Sequence, residues 1–519
     1  MSPVERKIKV CIVARKDLSR NTRIIRQARS LSERGHEVTV FALGLPLEAS
    51  RLTTPDVRYC EVSLEPLSKS LTLLTRLLDG RTWIRLLVQT PRRLMHLCIL
   101  FAKWLVDVSP IDEAKIREFL PGGQRQTGKP ITPGVRDSEP SLAQRAMRSD
   151  GQPGKTSEPR PKGRERPWRS GLVMGLYGNL RDAAFARDAS RLLAETPCDV
   201  LQLHDSHSLR VARQCPPKGG PALVYDAVEI PEDRSGWAAQ RIPRIIRWYD
   251  ARLTKTLVRR MDAVLTVSDG LRDWTARRYG VTPPTVVRNC RHYEDVTRPD
   301  WIRQDCRLSP DHRLVLYLNS LYGGQGLEQL VDSLAFLPPH IHVATLGPVA
   351  QPGYVEDLRR RADQLSVDGR LHILEPKPPT EMLEYASGAD LGVIPRQNSS
   401  LNNFHSLPNR VFELIMARLP IAGPSLQDMR DFIEGNSLGL IFDETDPADI
   451  ARTIQAMLDP NTFERLRTRI EDAAREFSWD REGERYATLI EQVSQRVAEQ
   501  HRAHATGATS HSPSSVPST

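Results

Sequence analysis

The sequence predicts an α/β protein: two Rossmann-like, doubly wound domains facing a cleft. Three observations predict it. The chain opens strand, helix, glycine, strand, which is the start of a parallel sheet covered by helices. The same alternation restarts after Pro310. With 519 residues, 39% of them hydrophobic, the chain can build two or three cores.

Lys7–Ala14 is the first strand. A helix over Thr22–Arg34 places Ile24, Ile25, Ala28 and Leu31 at helical spacing, and Gly35 ends it. His36–Ala42 is the second strand. Asp199–Leu203, Ala222–Tyr225, Ala263–Val267 and Pro284–Arg288 continue the first series. The second series has strands at 314–318, 340–346, 370–374 and 391–394, with helices at 326–336, 355–365 and 381–387 between them. Ligands of such sheets bind at strand carboxyl ends, and the cleft between two such domains is the default site. The expected division is 1–298 for an N-terminal domain and 299–480 for a C-terminal one. A helix at 481–502 is expected to return to the first domain.

Two segments stand apart. Residues 113–170 are rich in Pro, Gly, Arg and Gln, which predicts a disordered basic insert. Residues 503–519 predict a disordered tail. Residues 71–106 are apolar with Trp83, Trp104 and interleaved arginines. Their most apolar run is shorter than the ~20 residues that cross a bilayer. They predict amphipathic helices lying in a membrane interface, or else a core hairpin.

The net charge of +9 fits an anionic partner such as a nucleotide, phospholipid head group or lipid diphosphate. Mean hydropathy of −0.42 leaves much of the chain solvated. Zinc-finger, RNA-recognition and basic–aromatic patterns do not occur, so nucleic acid is not an expected partner. Seven scattered cysteines without a CxxC pair suit a reducing compartment. Residues 1–7 lead straight into a strand, so a leader peptide is not expected.

Residues 399–424, SSLNNFHSLPNRVFELIMARLPIAGP, form the most informative stretch. Pro408 suits a helix start, and Val411, Phe412, Leu414, Ile415 and Leu419 form a buried face. Arg410 and Glu413 share another face at i,i+3. A guanidinium and a carboxylate near the N-terminal end of a packed helix suit an anion and hydroxyl site. A plain surface ion pair fits the spacing equally. The Gly323–Gly324–Gln325–Gly326 turn precedes a helix and could offer N–H groups to phosphate. His207, His292 and His312 are expected to be structural. His204, Asp205 and His207 lack a third partner for zinc, and a metal site is not expected.

In their order and spacing, these pieces resemble the GT-B glycosyltransferases of family 4, group 1. The resemblance rests on NTRIIRQARSLSERGHEVTVFA, DVLQLHDSHSL, VYDAVEI, AVLTVSDGLRDWTARRYG, VRNC, LYLNSLYGGQGLEQLVDSL and SLPNRVFELIMARLPIAGP. It covers most residues outside the insert and tail. It implies a metal-independent transferase without a cofactor. The nucleotide-sugar donor would lie in the C-terminal domain and a glycan or lipid-linked acceptor in the N-terminal one, with retention at the anomeric carbon. Glu413 matches the second glutamate of the family's Glu-x7-Glu signature, which holds the ribose. Arg410 matches a cation facing the diphosphate. Gly323, Gly324, Arg396 and Leu407 complete the implied donor site.

Four positions depart from the family pattern. His405 replaces the first glutamate, Ser320 an arginine, Gln325 a lysine and Val228 a histidine. Losing two cations weakens stabilisation of the leaving diphosphate. Arg410 and Arg396 are the candidate compensation. His405, with His204 or Asp205 across the cleft, is the candidate catalytic set. The alternative is a catalytically silent, glycosyltransferase-like accessory protein. A sugar-nucleotide epimerase shares the architecture but not the PNRVFE helix. The expected location is cytoplasmic, at the inner face of the membrane.

Overall fold

The computed structural model describes residues 7–18, 21–44, 57–62, 167–216, 219–233 and 244–508, with backbone alone for 167–177, 244–246 and 505–508. The expected helices at 71–106 and nearly all of the insert at 113–170 lie outside the described residues. Nearly all the described residues belong to one compact unit, spanning residues 1–69 and 170–519.

The N-terminal half runs β1 (Lys9–Asp17), α1 (Thr22–Glu33), β2 (Glu37–Gly44), β3 (Val57–Glu61), α2 (Pro167–Ala194), β4 (Val200–His204), β5 (Ala222–Ala227), α3 (Arg244–Val258), β6 (Ala263–Thr266), α4 (Asp269–Tyr279) and β7 (Thr285–Val286). The C-terminal half runs β8 (Arg313–Leu318), α5 (Leu327–Ser333), β9 (Ile341–Leu346), α6 (Tyr354–Gln364), β10 (Leu371–Leu374), β11 (Leu391–Val393), α7 (Asn409–Met416), β12 (Ile421–Pro424), α8 (Gln427–Gly435), β13 (Gly439–Phe442), α9 (Pro447–Leu458) and α10 (Pro460–Glu476). The closing helix α11 (Trp479–Ala508) comes last.

Both sheets are parallel. Their orders are β3-β2-β1-β4-β5-β6-β7 and β10-β9-β8-β11-β12-β13. Each reverses direction once, between β1 and β4 and between β8 and β11. Loops diverge at those points and open a crevice at the strand carboxyl ends. Strands β5 and β9 are buried along their whole length, as expected where helices cover both faces of a sheet.

Helix α11 belongs to the core of the first sheet. Trp479, Tyr486, Ile490, Val493 and Val497 recur on one face and pack with β1, β2 and α1. Each large side chain so buried contributes about 1.5–3 kcal/mol. Trp479 Nε1 donates to Ser30 Oγ at 2.9 Å, and the Tyr486 hydroxyl donates to Gln202 at 2.6 Å. The last helix thus fastens the chain's end to its beginning.

Several boundaries differ from the sequence expectation. Helix α11 continues to Ala508, six residues into the stretch expected to be unstructured. Helix α2 starts at Pro167, inside the expected insert. Pro408 is the N-cap of α7, not its first turn, with φ −70 and ψ 152. Among the described residues, no helix is long and apolar enough to cross a membrane.

Candidate functional site

The two halves meet over a cavity of about 220 Å³. Val228, Val267, Leu271 and Asn289 line it from the N-terminal half. Asn402, His405, Ser406, Leu407, Pro408 and Asn409 line it from the C-terminal half. Hydrogen bonds close the junction. Asn402 accepts from the Ile230 N–H at 2.7 Å and donates to the carbonyls of Ile230 and Asp233 at 2.9 and 2.7 Å. Ser268 Oγ donates to the His405 carbonyl at 2.8 Å, and Asn289 donates to Asn409 at 2.7 Å.

The loop from β11 to α7 carries most of the C-terminal wall. Ser400 caps the short helix Leu401–Phe404, and Asn403 donates to the Gln397 carbonyl and to Ser399. Arg396 donates to Asn403 at 3.0 Å and to Ser406 at 3.4 Å. Burial pushes its guanidinium below the usual arginine range. Leu407 is buried in the core beneath. Helix α7 then buries Val411, Phe412, Leu414, Ile415 and Met416 and turns Arg410 and Glu413 outward as an ion pair. Burial, then Tyr322, push the Tyr317 hydroxyl up, opposed by Asn319, Arg410 and Arg396.

The glycine turn serves packing as well. The Gly323 N–H donates to Gln351 at 3.0 Å, so this donor is engaged within the protein. Gly324 and Gly326 have φ of +81 and +82. A Cβ on Gly326 would lie 1.7 Å from the Pro395 carbonyl oxygen. Glycine here lets the turn press on the loop that carries Arg396.

His204 and Asp205 do not join this cavity; neither lines it. His204 is 1% exposed, with Nδ1 at 3.1 Å from Asp226 and Nε2 at 3.1 Å from the Asn21 amide. Both ring nitrogens are engaged. Asp205 is fully buried at φ 60, accepts from the His207 N–H and pairs with Lys16 at 3.2 Å. Burial raises its pKa, but Lys16, His207 and His204 outweigh that and hold it below the usual carboxylate range. His405, by contrast, lines the cavity beside Asn409.

Arg26 was not anticipated. It lies on α1, donates to Asn289 at 2.5 Å and stacks 5.3 Å from the Trp479 ring centre. Burial and Arg23 push its guanidinium down to about 10, against the pull of Glu413. Its Nε is buried without a partner. The only sequence trace is that Arg26 follows Arg23 at i,i+3, which places two cations on one face of the helix. Among the described residues, no group of three or more His, Cys, Asp or Glu is placed to hold a metal.

Comparison with known proteins agrees with this architecture. Residues 149–292 match the family described as Glycosyltransferase Family 4, and residues 300–477 match Glycosyl transferases group 1. D-inositol 3-phosphate glycosyltransferase of Corynebacterium efficiens is 26% identical over 174 residues, 32% of this chain. The match spans only 40% of that relative's length. A glycosyltransferase from Rickettsia africae has a similar fold, with a TM-score of 0.55 at 10% identity over 94% of this chain and 99% of that one. Anabaena HepE in complex with UDP gives 0.54 at 12% identity, over 96% of this chain and 100% of that one. At such identities the likeness concerns the fold. Two family matches in sequence order, one on each half of a two-sheet architecture, place the chain among the GT-B glycosyltransferases of family 4, group 1.

Proposed function

We propose that the protein moves a sugar from a nucleotide-sugar to a glycan or lipid-linked acceptor, with retention of configuration. The observation that supports this most is the Arg410–Glu413 pair on α7, held outward beside a cavity between the two halves. A carboxylate accepts two hydroxyl protons at once, so Glu413 suits a ribose. Binding there frees Arg410 for the diphosphate, with Arg396 adding charge from the adjoining loop. The acceptor oxygen bonds to the anomeric carbon as the bond to the diphosphate oxygen breaks. The leaving phosphate takes the electron pair and the acceptor's proton. His405 would contact phosphate or sugar. The decisive assay is nucleotide release by the purified protein with membranes and a panel of nucleotide-sugars, expected for at least one donor and lost in Glu413→Ala.

The silent accessory protein retains specific support. Ser320 and Gln325 stand where the family carries cations, and the Gly323 N–H is already bonded to Gln351. No release with any donor, together with no thermal stabilisation by nucleotides, would favour it.

A membrane-surface site at the inner, cytoplasmic face is part of the proposal. Trp248 on α3 is 59% exposed, the Arg252 guanidinium lies 5.8 Å from its ring centre, and Arg247 is exposed beside it. An exposed Trp among arginines suits an anionic interface. Flotation with anionic vesicles tests this, and a protein that stays in the aqueous fraction has no such affinity.

A further inference from the structure

We propose that Asp428 is a positioning residue for His405, and that the two form a proton-sharing pair completed only where both halves of the chain meet. The proposal rests on the donor-site reading of the same cavity.

His405 is 8% exposed and lines the cavity; Asp428, on α8, is 6% exposed. His405 Nδ1 lies 3.5 Å from Asp428 Oδ1. That is beyond hydrogen-bond range, and Nδ1 is buried without another partner. Catalytic contacts are often this long before substrate binds. The N-terminal half anchors both residues. Asp428 Oδ2 accepts from the Gly270 N–H at 3.1 Å, and Ser268 Oγ donates to the His405 carbonyl at 2.8 Å. A Cβ on Gly270 would sit 1.9 Å from Asp428 Oδ1 and 2.6 Å from His405 Nδ1. Only glycine lets the first turn of α4 approach this closely.

The chemistry follows from the arrangement. A carboxylate beside Nδ1 holds the ring in one orientation and stabilises the imidazolium. Nε2 is then the donor left for a ligand in the cavity. A donor there answers the cations replaced at Ser320 and Gln325. Burial raises the Asp428 carboxyl, opposed by Ser268, His405 and Gly270. Two other charges face it from α4: Arg272 lies within range of Asp428, and Asp273 within range of His405.

Nucleotide release tests the pair with His405→Gln, Asp428→Asn and the double variant. Each single change is expected to lower kcat at least tenfold with donor KM within threefold, and the double variant to be no worse than the weaker single. Asp428→Asn should also move the acidic limb of the kcat–pH profile. His405→Glu should be worse than His405→Gln, because it sets two buried carboxyl groups face to face, and Asp428→Asn should partly restore it. Parental kcat and profile in Asp428→Asn, or losses that multiply in the double variant, would overturn the pair. Should Asp428→Asn fail to fold, melting midpoints of His405→Glu and His405→Gln from pH 5 to 8 decide. The pair requires His405→Glu to gain stability as pH falls relative to His405→Gln, and parallel curves would sink it. A parental protein that binds no nucleotide refutes the donor site instead, while this melting comparison still reports on the pair.

Discussion

Two polar clusters, one within the N-terminal half and one around α7, are built from similar residue types and end in opposite states. In the N-terminal half, Arg23 spends all three guanidinium nitrogens, two on Asp226 and one on the Val287 carbonyl, each at 2.9 Å. Asp226 also accepts from Gln27 and meets His204, and Gln27 and Gln202 carry the network on to Tyr486 of the last helix. Arg23 and Asp226 are 2% and 0% exposed. Around α7 the pairing is incomplete. Arg410 pairs with Glu413 at a half-open surface, Arg26 Nε is buried without a partner, and so is His405 Nδ1. A buried cluster whose donors and acceptors are all matched holds the fold. One that leaves a guanidinium nitrogen and an imidazole nitrogen short of partners beside a cavity has capacity left for a ligand.

The sharpest way to break this contrast is to remove Asp226. Asp226→Ala strands the Arg23 charge in the core and should cost about 3–5 kcal/mol of stability, measured by urea unfolding. A loss below ~1 kcal/mol would mean that the network is not structural. The pH arm has a definite sign. Burial raises the Asp226 carboxyl, but Arg23 and His204 outweigh it and hold it far below its ordinary 3.8. Its stabilisation is therefore complete above about pH 4 and is lost as acid protonates the folded carboxylate.

Glu413→Ala is the complementary change. It breaks only a partly exposed pair, so stability should move by less than ~1 kcal/mol. Nucleotide affinity should fall by about 2 kcal/mol, roughly 30-fold, through two lost ribose hydrogen bonds. Calorimetry on the folded variant reads both. Unchanged affinity would show that Glu413 belongs with the structural cluster.

The same contrast explains what the sequence revealed. Helix α7 was legible because its apolar spacing, its proline and the Arg410–Glu413 offset are local. Most strands of both sheets, though not β3 and β13, were legible because strand and helix alternate with glycine punctuation. Helix α2 was not, because Gly171, Gly175 and Gly178 depress its helix propensity and a Pro/Gly/Arg-rich stretch precedes it. Edge strand β3 is short and half-exposed. The site was only half legible, for a different reason. Chain folding brings Arg26 to Asn289, Asn402 to Ile230 and Asp428 to Gly270, and a linear pattern does not show such partners more than a hundred residues away. His204 reads differently once the chain is folded. A histidine beside an aspartate at a strand end has the pattern of a catalytic pair, and only the folded chain shows Asn21 and Asp226 occupying its nitrogens.

The smallest predicted effect separates the site from its scaffold. At the opposite end of the second sheet from the cavity, His312, His342 and His372 stack, with ring centres 4.6 and 5.2 Å apart. His342 Nδ1 and His372 Nε2 lie 3.0 Å apart, so one ring donates and the other accepts, and at least one must stay neutral. Burial, then His372 and His312, then Arg370 and Arg303, push His342 down to about 4 from an ordinary 6.5. The folded form thus binds this proton less readily than the unfolded chain. Stability is full above about pH 6.5 and declines towards pH 4. Allowing for solvent screening at this sheet end, the decline is roughly 1 kcal/mol between pH 7 and 5. His342→Gln should flatten it in melting curves at those pH values. Because His342 lies far from the cavity, this substitution should leave the acidic limb of nucleotide release in place. If that limb disappears with the melting slope, the acid loss of activity is unfolding of the sheet, and the titrating pair at His405 and Asp428 has no part in it.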